Sequence, residues 1–272
     1  MTDQYAVIGN PIEHSKSPLI HAAFARQTGQ DLNYDRILGD LEEFEADVRD
    51  WFAQGGKGLN VTVPFKQRAF LMADELSQRA ESAQAVNTLI PLPDGRIHGD
   101  NTDGVGLVRD LGCNHLFNFK GARILLLGAG GASRGVVRPI LEEGPARLVI
   151  ANRTASKAEA LAAELAGLGA VAGCGLDALA GQQFDLIINA TAAGLEDEVP
   201  AIPDDCLAEG GWTYDMMYAS EPTAFVRWGQ AHGAAKALDG LGMLVEQAAE
   251  AFRLWRDVTP ETDVVIRQLR AG

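Results

Sequence analysis

Residues 124–133 leave little choice of architecture. Four apolar residues, Ile124-Leu125-Leu126-Leu127, run directly into Gly128-Ala129-Gly130-Gly131-Ala132-Ser133. An unbroken apolar run suits a strand covered by helices on both faces of a parallel sheet. The first glycine permits a tight turn, the second lets backbone approach a pyrophosphate, and the helix that follows offers free N–H groups at its N-terminus. A tight strand-to-helix turn alone would need no more than this. The dinucleotide reading gains from a second strand, Arg147–Ala151, at the spacing of a βαβ unit. The sixth position of the loop is Ser133, where the pattern has Gly or Ala.

Further apolar runs at Leu186–Asn189, Thr213–Met217 and Lys236–Leu238 are mostly separated by helix-length segments. That rhythm predicts a Rossmann-type, doubly wound α/β domain over roughly residues 118–238. The end of the second strand indicates which dinucleotide it holds. An NAD site usually places Asp or Glu there to accept from the ribose hydroxyls. This chain has Asn152-Arg153-Thr154, with Lys157 a helical turn later. A guanidinium fork and an ammonium suit the 2′-phosphate of NADP(H), although both cations would also suit a solvated helix start.

The first half reads as a second α/β domain. Tyr5–Ile8 is a strand ending at Gly9-Asn10-Pro11, and a helix from Leu19 fades at Gly29, with Ser17 as N-cap and Pro18 as first residue. Gly58–Val63 is a strand, and Pro64 opens one helix toward Ala85. Thr88–Pro91 and Arg96–His98 flank a turn at Pro93-Asp94-Gly95, and a helix follows Asn101-Thr102-Asp103. The final helices, Leu241–Asp257 and Glu261–Arg270, have no strand after them. They are expected to return to the first half, giving a substrate-binding and catalytic domain of residues 1–103 plus 240–272. The dinucleotide domain is then 104–239, with a cleft between the two.

Charge narrows the partners. Against 23 Lys and Arg stand 37 Asp and Glu, a net charge of −14. So acidic a surface disfavours nucleic acid and anionic lipid, while a small anion could still bind in an amide-lined pocket. Cys113, Cys174 and Cys206 are odd in number and lack metal or redox spacing, which predicts no metal site and a reducing compartment. The start of the chain shows no leader pattern and no apolar run reaches spanning length, so the cytoplasm is expected.

Three groups could carry chemistry beside a dinucleotide. Lys66, just after the Val61-Thr62-Val63 strand, can face a cleft or be solvated. Asp103 stands at a helix start, where it can be an N-cap or a reacting carboxylate. Ser15 and Ser17 flank Lys16 before a helix, where hydroxyls and free amides either cap the helix or hold a carboxylate.

At these residues the chain closely resembles the shikimate dehydrogenase family. The matching segments come in the family's order along nearly the whole length: Gly9-Asn10-Pro11 with His14-Ser15-Lys16-Ser17-Pro18; Asn60-Val61-Thr62-Val63-Pro64-Phe65-Lys66; Ala85-Val86-Asn87-Thr88; and Gly99-Asp100-Asn101-Thr102-Asp103-Gly104. The glycine loop and Asn152-Arg153-Thr154 follow, then Tyr214-Asp215-Met216 with Tyr218, and Asp239-Gly240-Leu241-Gly242-Met243-Leu244 through Gln247. The resemblance implies reversible, NADP-dependent reduction of 3-dehydroshikimate to shikimate, on the route to chorismate and the aromatic amino acids. It implies Lys66 and Asp103 as the catalytic pair, and substrate contacts at Ser15, Ser17, Thr62, Lys66, Asn87, Asp103, Tyr218 and Gln247. Cofactor contacts are implied at Gly128, Ala129, Gly130, Gly131, Ala132, Asn152, Arg153, Thr154, Lys157, Met216 and Gly240. Relatives include monomers and dimers, and the sequence leaves a homodimer open.

The chain departs from the family pattern at Glu13, where Gly is frequent, at Gln78, where an acidic residue can stand, and at Ala192, where Ser is usual. Two rival readings stand beside the first. One is a quinate/shikimate dehydrogenase of broader substrate use and NAD preference, against which Arg153 and Lys157 count. The other is a catalytically silent NADP(H) sensor, which would not need an intact Lys66/Asp103 pair.

Overall fold

The computed structural model describes residues 2–191 and 198–271. Ala192 lies outside the described residues. Contacts divide the chain into two units: one takes the residues up to Gly106 and from Val245 onward, the other Leu107–Leu244.

The first unit is built on a mixed sheet. Its strands are β1 (Asp3–Gly9), β2 (Leu32–Leu38), β3 (Gly58–Val61), β4 (Glu75–Leu76), β5 (Thr88–Pro91) and β6 (Ile97–Asp100), in the order β2-β1-β3-β5-β6-β4. β1 runs parallel to β2 and β3, whereas β5 is antiparallel to both β3 and β6. Alternation along β1 sends Ala6 and Ile8 to one core with Leu59, Val61 and Leu89, and Tyr5 and Val7 to another with Ile12 and Tyr34. The helices are α1 (Ser17–Thr28), α2 (Phe44–Ala53), α3 (Lys66–Met72), α4 (Gln78–Ala83) and α5 (Asp103–Arg109), the last crossing into the second unit.

In the second unit the strands are β7 (Arg123–Leu127), β8 (Arg147–Asn152), β9 (Val171–Gly175), β10 (Phe184–Asn189), β11 (Leu207–Asp215) and β12 (Lys236–Leu238). They lie parallel in the order β12-β11-β10-β7-β8-β9, the doubly wound arrangement expected. The apolar run of β7 splits by parity. Ile124 and Leu126 pack with Leu148, Ile150, Leu186 and Ile188 on one face, while Leu125 and Leu127 pack with Val149, Ala151 and Ile187 on the other. Both faces are dry, which is why the run carries no polar alternation. Helices α6 (Gly131–Glu142), α7 (Ala155–Leu165) and α8 (Ala224–Ala231) connect the strands. The chain closes with α9 (Leu241–Arg256) and α10 (Asp263–Ala271).

Two local expectations are corrected, and two strands had gone unannounced. Residues 64–85 form α3, β4 and α4, not one helix. Ala73 turns extended (φ −67°, ψ 135°), Asp74 exchanges hydrogen bonds with Ile97 of β6, and Ser77 caps α4 by accepting from the Ala80 N–H at 3.1 Å. Ser17 lies inside α1, whose N-cap is Lys16, and Ser17 N–H donates to the Ser15 hydroxyl. Strands β2 and β9 had no clear signature because both are edges, with polar or small residues in place of an apolar run.

Candidate active site

Lys66 is the first residue of α3 and Asp103 the first of α5. Each stands at a helix N-terminus a few residues after a strand, Lys66 after β3 and Asp103 after β6. Lys66 Nζ meets Asp103 Oδ2 at 2.6 Å, with the two side chains 30% and 17% exposed. That is partial burial: enough to limit competition from water while keeping both groups reachable. The other Asp103 oxygen accepts from Asn87 Nδ2 at 2.8 Å. The Asn87 amide also donates to Thr102 Oγ1 at 3.0 Å, and its oxygen accepts from the Thr102 N–H at 2.9 Å. Gln247 Oε1 lies 3.4 Å from both Asn87 Nδ2 and Thr102 Oγ1.

Backbone bonds hold the frame. The Lys66 carbonyl accepts from Val86 N–H, Asn87 N–H donates to the Asp100 carbonyl, and Asp103 N–H donates to Asn101 Oδ1 at 3.1 Å. Asp100 below them is 3% exposed and accepts from Ser77 Oγ, Arg79 and the Asn101 N–H. Burial pushes its carboxyl upward, but hydrogen bonds and charge from Arg79, with Ser77 and Asn101, outweigh that and hold it below the ordinary carboxylate range.

Of the predicted substrate residues, the structure joins Lys66, Asn87, Asp103 and Gln247 in one cluster. Ser15 and Ser17 are joined to each other, and Arg36 donates to the Ser15 carbonyl, fixing that turn. Thr62 follows β3, where its methyl lies 2.4 Å from the point a Cβ on Gly9 would take, so residue 9 must be glycine. Tyr218 belongs to the second unit, where burial raises its phenol above the ordinary value. Glu13 is exposed and accepts from the Ile12 N–H. Gln78 is exposed as well. Asn101 and Thr102, hydrogen-bonded to Asp103 and Asn87, are neighbours that sequence reasoning left without roles; the Asn-Thr-Asp run was the available signal.

In the second unit, the turn after β7 has Gly128 at φ +105°, a conformation L side chains rarely adopt. Its N–H donates to the Ala151 carbonyl. Gly130 caps α6 in extended backbone, and among the described residues nothing lies within 4 Å of where a Cβ on Gly130 or Gly131 would stand. Ala129 packs toward the core, Ala132 is exposed, and the buried Ser133 hydroxyl lacks a hydrogen-bond partner among the described residues. The first-turn N–H groups of α6 have no intrahelical acceptors. Space and free donors together fit a dinucleotide's phosphates.

At the end of β8, Asn152 Nδ2 donates to the Thr154 carbonyl and shapes the turn into α7. Arg153 and Lys157 are exposed and carry no ion pair among the described residues, whereas nearby Arg134 is bound to Glu164 at 2.6 Å. Two uncommitted cations in a strongly acidic chain fit an added phosphate. After β11, Met216 N–H donates to the Asn189 carbonyl and Gly240 N–H to the Met217 carbonyl. A Cβ at Gly240 would stand 2.3 Å from the Met216 carbonyl oxygen, so the two backbones can meet only with glycine there.

These features define a two-unit α/β oxidoreductase of the dinucleotide-dependent class. Comparison makes the assignment specific. Residues 7–89 match the model of the shikimate dehydrogenase substrate binding domain, 111–196 that of shikimate/quinate 5-dehydrogenase, and 240–270 that of the shikimate 5'-dehydrogenase C-terminal domain. The chain is 59% identical over 269 residues to shikimate dehydrogenase (NADP(+)) of Methylococcus capsulatus, covering 99% of this chain and 96% of that protein. An Ael1 enzyme from Pseudomonas putida superimposes with a TM-score of 0.92 at 48% identity, over 98% of each chain. Shikimate 5-dehydrogenase from Thermus thermophilus, solved with NADP(H) and shikimate, gives 0.87 at 33% identity over 99% of each. The chain belongs to the shikimate dehydrogenase family.

Proposed function

We propose that this chain catalyses the reversible, NADP-dependent reduction of 3-dehydroshikimate to shikimate, with Lys66 and Asp103 acting on the ring oxygen. The observation that carries the roles is the Lys66–Asp103 contact at 2.6 Å with Asn87 on the second carboxylate oxygen. Relatives at more than half identity over the whole chain bear the NADP(+) name, and one solved relative holds NADP(H) and shikimate together. Bound NADPH supplies the hydride to the carbonyl carbon, and NADP+ takes it back in the reverse direction. The negative charge that then gathers on the ring oxygen is met by the Lys66 ammonium, which keeps two N–H donors beyond the one on Asp103. Proton transfer to that oxygen completes the alcohol, and in reverse the pair removes the hydroxyl proton. Asp103 orients Lys66, and Asn87 holds Asp103 from the opposite side.

The first unit is the substrate-binding domain in this reading, and the second holds NADP(H). Ser15 and Ser17 orient the substrate carboxylate, while Thr62, Asn87, Tyr218 and Gln247 read ring hydroxyls. A site that hydrogen-bonds several hydroxyls rejects analogues lacking one, because its own polar groups are left unpaired. Arg153 and Lys157 take the 2′-phosphate, beside Asn152 and Thr154. The glycine loop Gly128–Ala132 faces the pyrophosphate, and Met216 and Gly240 line the nicotinamide side. No helix among the described residues is long and apolar enough to cross a membrane, and the cytoplasm is the proposed location.

The deciding experiment measures oxidation of shikimate and quinate, each with NADP and NAD. Turnover of shikimate with NADP is expected, with NAD supporting only a slow rate and quinate none. Comparable rates with quinate and NAD would move the chain to the quinate/shikimate group, and no turnover in any combination would favour a cofactor sensor.

A further inference from the structure

Behind Asn87 and Asp103 lie three buried polar side chains, Tyr34, Asn60 and Thr88, that the reaction scheme does not use. Tyr34 on β2 is 8% exposed, and its ring stacks on His21 with centroids 4.1 Å apart and planes within 4°. Its hydroxyl donates to Asn60 Oδ1 at 2.7 Å. The Asn60 amide donates to the Asn87 carbonyl at 3.0 Å and to Thr88 Oγ1 at 3.1 Å. Thr88 Oγ1 donates in turn to Asn87 Oδ1 at 2.8 Å, and Asn87 Nδ2 donates to Asp103 Oδ1 at 2.8 Å.

Every bond in this series points the same way, from the phenol toward the carboxylate that Lys66 touches. Bonds aligned in one sense polarise one another. Tyr34, Asn60, Asn87 and Thr88 are all buried, so a broken link leaves an unsatisfied polar atom instead of one bonded to water. Burial drives the Tyr34 phenol well above its ordinary value, and a hydrogen bond with the Ser17 side chain opposes that. Burial drops the His21 imidazole to about 3 against the opposing pull of a hydrogen bond with Asn60, so a neutral ring stacks on Tyr34.

We propose that Tyr34 is a positioning residue for the reaction, fixing Asn60 and, through Thr88 and Asn87, the orientation of the Asp103 carboxylate. The proposal rests on the reading of Asp103 as the catalytic partner of Lys66. Tyr34→Phe keeps the ring and its stacking and removes only the hydroxyl. Thr88→Val breaks the same series closer to Asp103 and carries the test by itself where Tyr34→Phe does not fold. Each is assayed for kcat with shikimate and NADP, beside Asp103→Asn and the Asp103→Asn/Tyr34→Phe double variant.

Tyr34→Phe is expected to lower kcat about tenfold and to leave KM for NADP unchanged. In the Asp103→Asn background it should add almost nothing, because both changes act at one carboxylate. Trp255→Phe, in the same aromatic cluster, should lower the unfolding midpoint without changing kcat. Parental kcat in folded Tyr34→Phe and Thr88→Val overturns the proposal. So do losses that multiply in full with Asp103→Asn, or an equal kcat loss in Trp255→Phe. Normal turnover in Asp103→Asn alone removes the catalytic reading and this proposal with it, whereas a slow Asp103→Asn beside a normal Tyr34→Phe removes only this one.

Discussion

Around Asp103, Lys66, Asn87 and Thr102 satisfy one another within 3.2 Å, and the Asn87 oxygen and nitrogen are both engaged. Around Gly131, Gly130, Gly131 and Ala132 are exposed, and Arg153 and Lys157 carry no ion pair among the described residues. The difference follows from what each region is read to hold. A neutral hydroxyl gains little over water from any one hydrogen bond, so it is recognised only by partners already held in place. A phosphate brings full charge and several acceptors, so free N–H groups and mobile cations suffice. One region is organised before its ligand arrives; the other is organised by it.

The largest effect should come from breaking the organised region at its charged member. Lys66→Ala is expected to lower kcat about a thousandfold, or roughly 4 kcal/mol of barrier, with a much smaller change in KM for shikimate. Steady-state kinetics at saturating NADP check this, and near-normal kcat would strip Lys66 of its role. In the open region, Arg153→Ala should reduce kcat/KM for NADP about thirtyfold, roughly 2 kcal/mol, and hardly change the slow rate with NAD. Equal losses with both cofactors would mean that Arg153 does not meet the 2′-phosphate.

The two regions were unequally visible in the sequence, for the same physical reason. A phosphate site is built from backbone and neighbours in the chain: Gly128–Ser133 on one turn, and Asn152 to Lys157 on another. Such local chemistry reads directly as a motif. The double-sided burial of β7 also prints itself as an apolar run. The Asp103 cluster joins Lys66 to a residue 37 positions away, and Asn87 to Gln247 across 160. Only the family resemblance grouped those residues; spacing alone left Lys66 and Asp103 with solvated and capping alternatives. Tyr34 was invisible, because it sits on an edge strand without an apolar signature and meets Asn60 only through the sheet. Ser17 was misread as the cap of α1 because Ser before Pro is a strong capping signal, while Lys16 takes that place.

Glycines separate folding from binding in the open region. Gly128 sits at φ +105°, where an added Cβ would also crowd Ser133 Oγ and the Ala190 carbonyl. Gly128→Ala should therefore destabilise the chain by about 1–3 kcal/mol in urea unfolding. Gly130 has an ordinary φ of −91°, and no atom of the described residues lies within 4 Å of its missing Cβ. Gly130→Ala should leave the unfolding midpoint almost unchanged yet raise KM for NADP about tenfold, since the methyl takes room the phosphate needs. If both variants lose stability alike, the glycine at residue 130 is there for the turn and not for the ligand.

The smallest effect lies beneath the organised region. Asp100 accepts from both Arg79 and the Asn101 N–H, and Asn101 accepts from the Asp103 N–H, so this carboxylate supports the floor of the cluster. Its carboxyl is held below the ordinary range, burial opposing the shift and Arg79 with Ser77 and Asn101 overcoming it. A group with a depressed folded pKa stabilises the fold above its unfolded pKa, near 4, and that contribution is lost as pH falls through the folded value. Acidification below about pH 4 should therefore lower the urea midpoint. Asp100→Asn should start from a lower midpoint at neutral pH, because Arg79 then keeps only Glu250 as a buried carboxylate partner. Its further fall on acidification should be shallower than the parent's. The flattening is small because Asp185, paired with Arg123, has a carboxyl lowered in the same direction and keeps its own share of the slope. Parallel curves for parent and variant would show that Asp100 gains no net stabilisation from its charge, and that Arg79 only repays the cost of burying it.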